Sequence, residues 1–250
     1  MKTVGFYGNS DCAYRGPNSY IDLFAEKHGL EIVNTGVRQG SEERILYELK
    51  KTKPDLAIIF HCEAQFLFLP GCDRDIGINN VAEHRGEYLF KDWSQEHTKD
   101  HNEKFIKRFE TPENFSKATQ TYRKYFYTPD LQMNRFYGAL VQIDGYCVTK
   151  NIPVIHVWHK SIPSWFKFTS GMVNMDILDI FKQYKVPSNV FNVNGITDEG
   201  NVKVCERLTE LVESMTPSPG RLAERLNASI SKIDNPDKGF VGSNPTPSAI

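Results

Sequence analysis

Short apolar runs alternate with helical periods along the first sixty residues. Val4, Phe6 and Tyr7 predict a first strand over residues 4–7. Ser19 is placed to cap a helix in which Ile21, Leu23, Phe24 and His28 form a stripe at helical spacing, and Gly29 stands where a C′ glycine ends one. Residues 31–34 predict a second strand and residues 35–40 the loop after it. Ser41 then caps a helix carrying Ile45, Leu46 and Leu49. The run Leu56, Ala57, Ile58, Ile59, Phe60 is unbroken, the pattern of a strand buried on both faces. Three βα repeats in succession predict a parallel, doubly wound sheet.

The rhythm breaks over residues 61–129, a stretch rich in charged residues, histidine and aromatics. A structureless loop of that length is improbable in a compact domain, so the stretch reads as a helical insertion after the third strand, capping the molecule. Periodicity resumes with a helix over residues 131–150, a fourth strand over 153–159, a helix over 175–184 and a fifth strand over 189–193. The last helix spans residues 198–215, with Val202, Cys205, Leu208, Leu211 and Val212 on one face. Residues 1–215 are thus expected to form one α/β domain with an insertion at 61–129, and residues 216–250, rich in Pro, Ser, Gly and Asn, a flexible tail.

Composition narrows the function. Thirty basic residues against 31 acidic ones leave a net charge of −1 and no electrostatic case for nucleic-acid binding. No long uncharged apolar run predicts a membrane span or a signal sequence. The five cysteines, Cys12, Cys62, Cys72, Cys147 and Cys205, form no CxxC pair and suit a reduced, cytoplasmic interior. Asp73, Asp75, His84, Glu87, His97, Asp100 and His101 crowd the insertion, but without an HExxH spacing they read as a solvated surface, so no metal or other cofactor is expected. Trp158, Trp165, Phe166 and Phe168 are candidates for substrate contact beside the fourth strand.

The candidate chemistry sits at the end of the first strand, where Gly8, Asn9 and Ser10 make a turn. Such a turn holds the hydroxyl of Ser10 at the carboxyl edge of the sheet, where open α/β folds place ligands, and lets the following N–H groups serve as oxyanion donors. With the loops that follow, this turn resembles the SGNH (GDSL-like) hydrolase superfamily of esterases, lipases and carbohydrate acetylesterases. Gly8-Asn9-Ser10 stands for the family's Gly-Asp-Ser, and the loop from Asn34 through Gly36 to Gly40 stands for its Asn-x-Gly-x-x-Gly, with one residue added. The resemblance implies a flavodoxin-like three-layer α/β/α fold with a five-stranded parallel sheet in the order 2-1-3-4-5. It also implies Ser10 as nucleophile and Gly40 as a second oxyanion donor. Within the superfamily it resembles divergent members found in marine phages, which implies virion association as the alternative to the cytoplasmic location that the cysteines suit.

Two blocks depart from the family pattern. His61, Cys62 and Glu63 occupy the place of Gly-x-Asn, so Glu63 replaces the amide donor of the oxyanion hole and donates only when protonated. The family's Asp-x-x-His is replaced by Asn194, Gly195, Ile196 and Thr197, which supply no base near neutral pH. His61, which a 2-1-3-4-5 order puts beside Ser10, and His159, at the end of the fourth strand, are the candidates to replace it, whereas His156 is expected to point into a packed layer. Two readings stay open. One is a serine hydrolase acting on a small-molecule or glycan ester; the other is a fold-retaining module that binds a glycan or protein without turnover. Neither reading predicts an oligomeric state.

Overall fold

The computed structural model of the chain describes residues 2–13, 18–36, 40–62, 64, 66–68, 75–77, 109–158, 166–186 and 195–215. Met1–Val212 forms one compact unit, and Glu213–Ile250 a second, of which the end of the last helix is described. The strands are β1 (Thr3–Gly8), β2 (Glu31–Asn34), β3 (Leu56–Phe60), β4 (Phe66–Leu67), β5 (Ile76–Gly77), β6 (Val154–Val157) and β7 (Gly171–Asn174). The helices are α1 (Ser10–Ala13), α2 (Tyr20–His28), α3 (Glu42–Thr52), α4 (Pro112–Tyr125), α5 (Pro129–Lys150), α6 (Asp176–Gln183) and α7 (Asp198–Met215).

Five strands make one all-parallel sheet in the order β2-β1-β3-β6-β7, which is 2-1-3-4-5 when its own strands are numbered along the chain. Strand alternation divides its side chains between two helical layers. Tyr7, Ala57, Ile59 and Val154 face α3 and α5, where Ile45, Leu49, Ile143 and Cys147 close over them. Phe6 and Phe60 face the opposite side and meet Tyr20 and Phe24 of α2 and Phe181 of α6 at ring-centroid distances of 5.8–6.1 Å. Edge-on and tilted aromatic pairs of this kind contribute about 0.5–1.5 kcal/mol each beyond the area they bury. On that side Asn201 of α7 accepts the Tyr20 backbone N–H at 2.9 Å, tying the last helix to the start of α2.

Local chemistry sets the element ends. Ser19 and Ser41 cap α2 and α3 by accepting the N–H of Asp22 and Arg44, and Gly29 ends α2 in the left-handed conformation at φ 60°. Thr111 and Thr128 cap α4 and α5, each followed by a proline, whose missing N–H costs nothing in a first turn.

The fifth strand differs from expectation. Residues 171–174 pair with β6, whereas residues 189–193, the expected fifth strand, lie outside the described residues. Gly171 to Asn174 is a half-exposed edge strand of only four residues, too short to show alternation, and the longer run at 189–193 masked its signal. Of the insertion, the antiparallel β4–β5 pair and α4 are described.

Candidate functional site

The carboxyl edge of the sheet gathers the loops after β1, β2 and β3. β1 ends at Gly8 with φ 135°, opposite Phe60 of β3, and a Cβ there would sit 2.0 Å from the Phe60 carbonyl oxygen. Backbone cannot yield at that distance, so glycine is required for β1 and β3 to finish side by side. The chain then turns at Asn9, whose Oδ1 accepts the Asp11 N–H at 2.9 Å, and Ser10 opens α1. The β2 loop is fastened onto this short helix. Asn34 Nδ2 donates to the Cys12 carbonyl at 3.0 Å, Asn34 Oδ1 accepts the Gly36 N–H at 2.9 Å, and a Cβ on Gly36 would meet that same carbonyl at 2.4 Å. Gly40 is buried just before the Ser41 cap of α3.

Asp75 pins the start of β5 to that cap. Its Oδ2 accepts the Ser41 N–H at 2.8 Å and hydroxyl at 2.6 Å, while Oδ1 accepts from Arg44 Nε at 3.1 Å and Nη2 at 2.7 Å. Both partners of this ion pair are buried. Removing one of them would leave an uncompensated charge at a cost of about 3–5 kcal/mol.

The main polar feature lies between the sheet and the α3–α5 layer. Glu42 opens α3, buried, where the helix N-terminus favours a carboxylate. Its Oε1 accepts the Cys62 N–H at 2.7 Å and its Oε2 lies 3.1 Å from His61 Nδ1. His61 follows β3, and its Nε2 lies 2.9 Å from His156 Nδ1. His156 Nε2 lies 3.1 Å from Ser170 Oγ, which donates to Asp144 Oδ1 on α5 at 2.6 Å. Asp144 also accepts the Ser170 N–H and both the N–H and the hydroxyl of Thr169. The two imidazoles stack at 5.2 Å, and Phe168 lies on His156 at 3.7 Å. Burial, with the His61 charge next to it, pushes the His156 pKa well below the ordinary histidine value. Burial raises the pKa of Asp144, but the donors of Ser170 and Thr169 outweigh it and hold this carboxyl below the usual range. The arrangement is a continuous hydrogen-bonded path, able to hold or move a proton between α3 and the turn before β7.

The residues named from sequence fall as follows. Ser10 stands at the head of α1 and Gly40 before α3, both at the carboxyl edge. His61 lies at the same edge, one residue past β3, with both ring nitrogens engaged by Glu42 and His156. Thr197 Oγ1 accepts the Gly200 N–H at 3.1 Å and so caps α7. Glu63, His159 and Asn194 lie outside the described residues. His156 points into the packed layer as expected, but as a member of a polar chain rather than of an apolar core. Trp158 and Phe166, named as candidates for substrate contact, are buried with Phe136 and Leu140, the environment that is the default for a tryptophan beside a strand. Trp165 lies outside the described residues. Glu42, Ser170 and Asp144 were not foreseen. The signal available was a histidine just past one apolar strand and another within the strand that a 2-1-3-4-5 order puts beside it.

Among the described residues no cluster of three His, Cys, Asp or Glu could hold a metal ion, and no helix is long and apolar enough to cross a membrane. No family model and no curated protein matches the chain by sequence. Among solved structures, a protein described as lipolytic and of the G-D-S-L family from Desulfitobacterium hafniense DCB-2 is similar at 14% identity and a TM-score of 0.31, over 84% of this chain and 99% of that one. The acetyl xylan esterase AlAXEase is similar at 13% identity and a TM-score of 0.32, over 83% and 98% of the two chains.

Proposed function

We propose that the chain is a serine ester hydrolase of the SGNH kind, acting on a small-molecule or glycan O-acyl ester. Ser10 is the nucleophile, and the N–H groups of Ser10 and Gly40, with Glu63, hold the oxyanion. One observation carries the reading. The β1 turn finishes on a glycine that no other residue can replace, delivers Ser10 to a helix start at the carboxyl edge of a 2-1-3-4-5 sheet, and has the β2 loop fastened beside it through Asn34 and Gly36. A serine hydroxyl needs a base, worth about 10²–10⁴-fold in rate. His61 spends both nitrogens on Glu42 and His156, so base work falls to His159, two positions past β6. Asn194 and Thr197 stand where the family carries its acid–base pair and take no part in proton transfer.

A fluorophosphonate is expected to label Ser10, and Ser10→Ala to abolish both labelling and turnover of p-nitrophenyl acetate. His159→Ala is expected to lower kcat/KM by about 10²–10⁴-fold. Turnover that survives Ser10→Ala overturns the nucleophile. Absence of both labelling and turnover favours the second reading, a glycan- or protein-binding module, which the engagement of His61 and the capping role of Thr197 support.

A further inference from the structure

The chain of side chains from Glu42 to Asp144 has a polarity that its ends dictate. Asp144 is held below the usual carboxylate range, so it is ionised near neutral pH and accepts only. Ser170 Oγ, 2.6 Å away, therefore points its one proton at Asp144 and offers His156 only a lone pair. His156 Nε2 must then carry hydrogen. Its ring is held neutral by burial, which leaves Nδ1 bare, and His61 Nε2 at 2.9 Å must be the donor. At the other end, Glu42 Oε2 and His61 Nδ1 lie 3.1 Å apart, a distance at which two facing lone pairs would repel. A proton sits there too. Each of the four gaps is filled, and Glu42 with His61 together hold one proton more than a carboxylate and a neutral imidazole would.

We propose that these five side chains form a proton wire, filled near neutral pH, in which loss of one proton opens the gap between Ser170 and Asp144 and loosens the turn leading into β7. With three protons left for four gaps, one gap must empty. Once the proton has passed to water, His61 keeps Nδ1–H toward Glu42, His156 turns Nδ1–H toward His61, and the Ser170 hydroxyl turns from Asp144 to His156 Nε2. The gap that empties is the one whose loss costs least. Asp144 keeps the Ser170 N–H and both Thr169 donors, and Ser170 is only half-buried, whereas Glu42 and the two histidines are sealed in the core. Among the described residues, the charged or titratable groups near the Glu42–His61 end include Cys62, the paired Arg44 and Asp75, and the Glu43–Arg135 pair that joins α3 to α5, while Cys12 and Asp11 act on Cys62. Burial first, and then Glu42, pushes the Cys62 thiol up, so it stays protonated and does not compete for the role. This inference does not depend on the ester-hydrolase reading.

The test is long-range ¹H–¹⁵N NMR of the histidine rings in the full chain, titrated upward from near neutral pH. The expected result is a His61 ring with both nitrogens protonated, a neutral His156 ring with hydrogen on Nε2, and Thr169 and Ser170 amides that shift with the same midpoint as His61. Glu42→Gln, whose amide NH2 fills the first gap, is expected to lose the second His61 proton near neutral pH, to keep hydrogen on His61 Nε2, and to hold the Ser170 amide unshifted through the titration. The wild-type spectrum decides the matter even if that variant does not fold. A singly protonated His61 near neutral pH, hydrogen on His156 Nδ1, or Thr169 and Ser170 amides that ignore the His61 titration would each overturn the wire.

Discussion

Gly8 shows how a single atom can shape a site. Its φ of 135° is hostile to any side chain, and the added carbon of alanine would press against the Phe60 carbonyl. Gly8→Ala is therefore expected to destabilise the fold by about 3 kcal/mol or more, seen as a lower urea midpoint at unchanged slope. The turn around Gly8 was legible because glycine followed by asparagine and serine is local chemistry. The buried path was not. Glu42 reads in sequence as the acidic residue that often follows a serine cap, and Asp144 as one more polar position of a long helix. Their roles depend on which strands become neighbours, and single residues carry no mark of that.

Helix α5 illustrates the same division one level up. Its span was legible from periodicity to within two residues at the start, whereas β7, which its Asp144 anchors, left no trace in the pattern. The anchor is strong because one carboxylate takes two N–H and two hydroxyl donors from Thr169 and Ser170. Asp144→Ala is expected to cost about 3 kcal/mol, since hydrogen bonds to a charged acceptor contribute about 1.5–3 kcal/mol each and some donors will find water. The sign of its pH dependence follows from the lowered carboxyl. The folded protein binds this proton less readily than the unfolded chain, so the contribution is complete above the unfolded value of about 3.9 and fades as pH falls through the folded one. Urea midpoints of wild type and Asp144→Ala should therefore lie far apart at pH 6 and converge in strong acid.

Across the whole molecule the parallel sheet was legible from apolar runs at regular intervals, whereas its order was legible only through the resemblance carried by the Gly8-Asn9-Ser10 turn and the loop after β2. The same burial silences the thiols. Cys12, Cys62, Cys147 and Cys205 are free and buried, and desolvation raises all four, Cys147 to about 12. Since the thiolate is the reactive form, a Cys72→Ser protein is expected to react with Ellman's reagent only as fast as it unfolds, and to yield all four thiols in denaturant. Sheet order has a further consequence for biosynthesis. β3 has β1 on one side from the start, but its partner on the other side, β6, is encoded about ninety residues later. At the 5–20 residues per second of translation, that flank of an entirely apolar strand waits on the order of 5–20 s for its native neighbour. Open strand edges recruit other chains, so a nascent polypeptide of this kind is most vulnerable to aggregation on the ribosome, before residue 154 emerges.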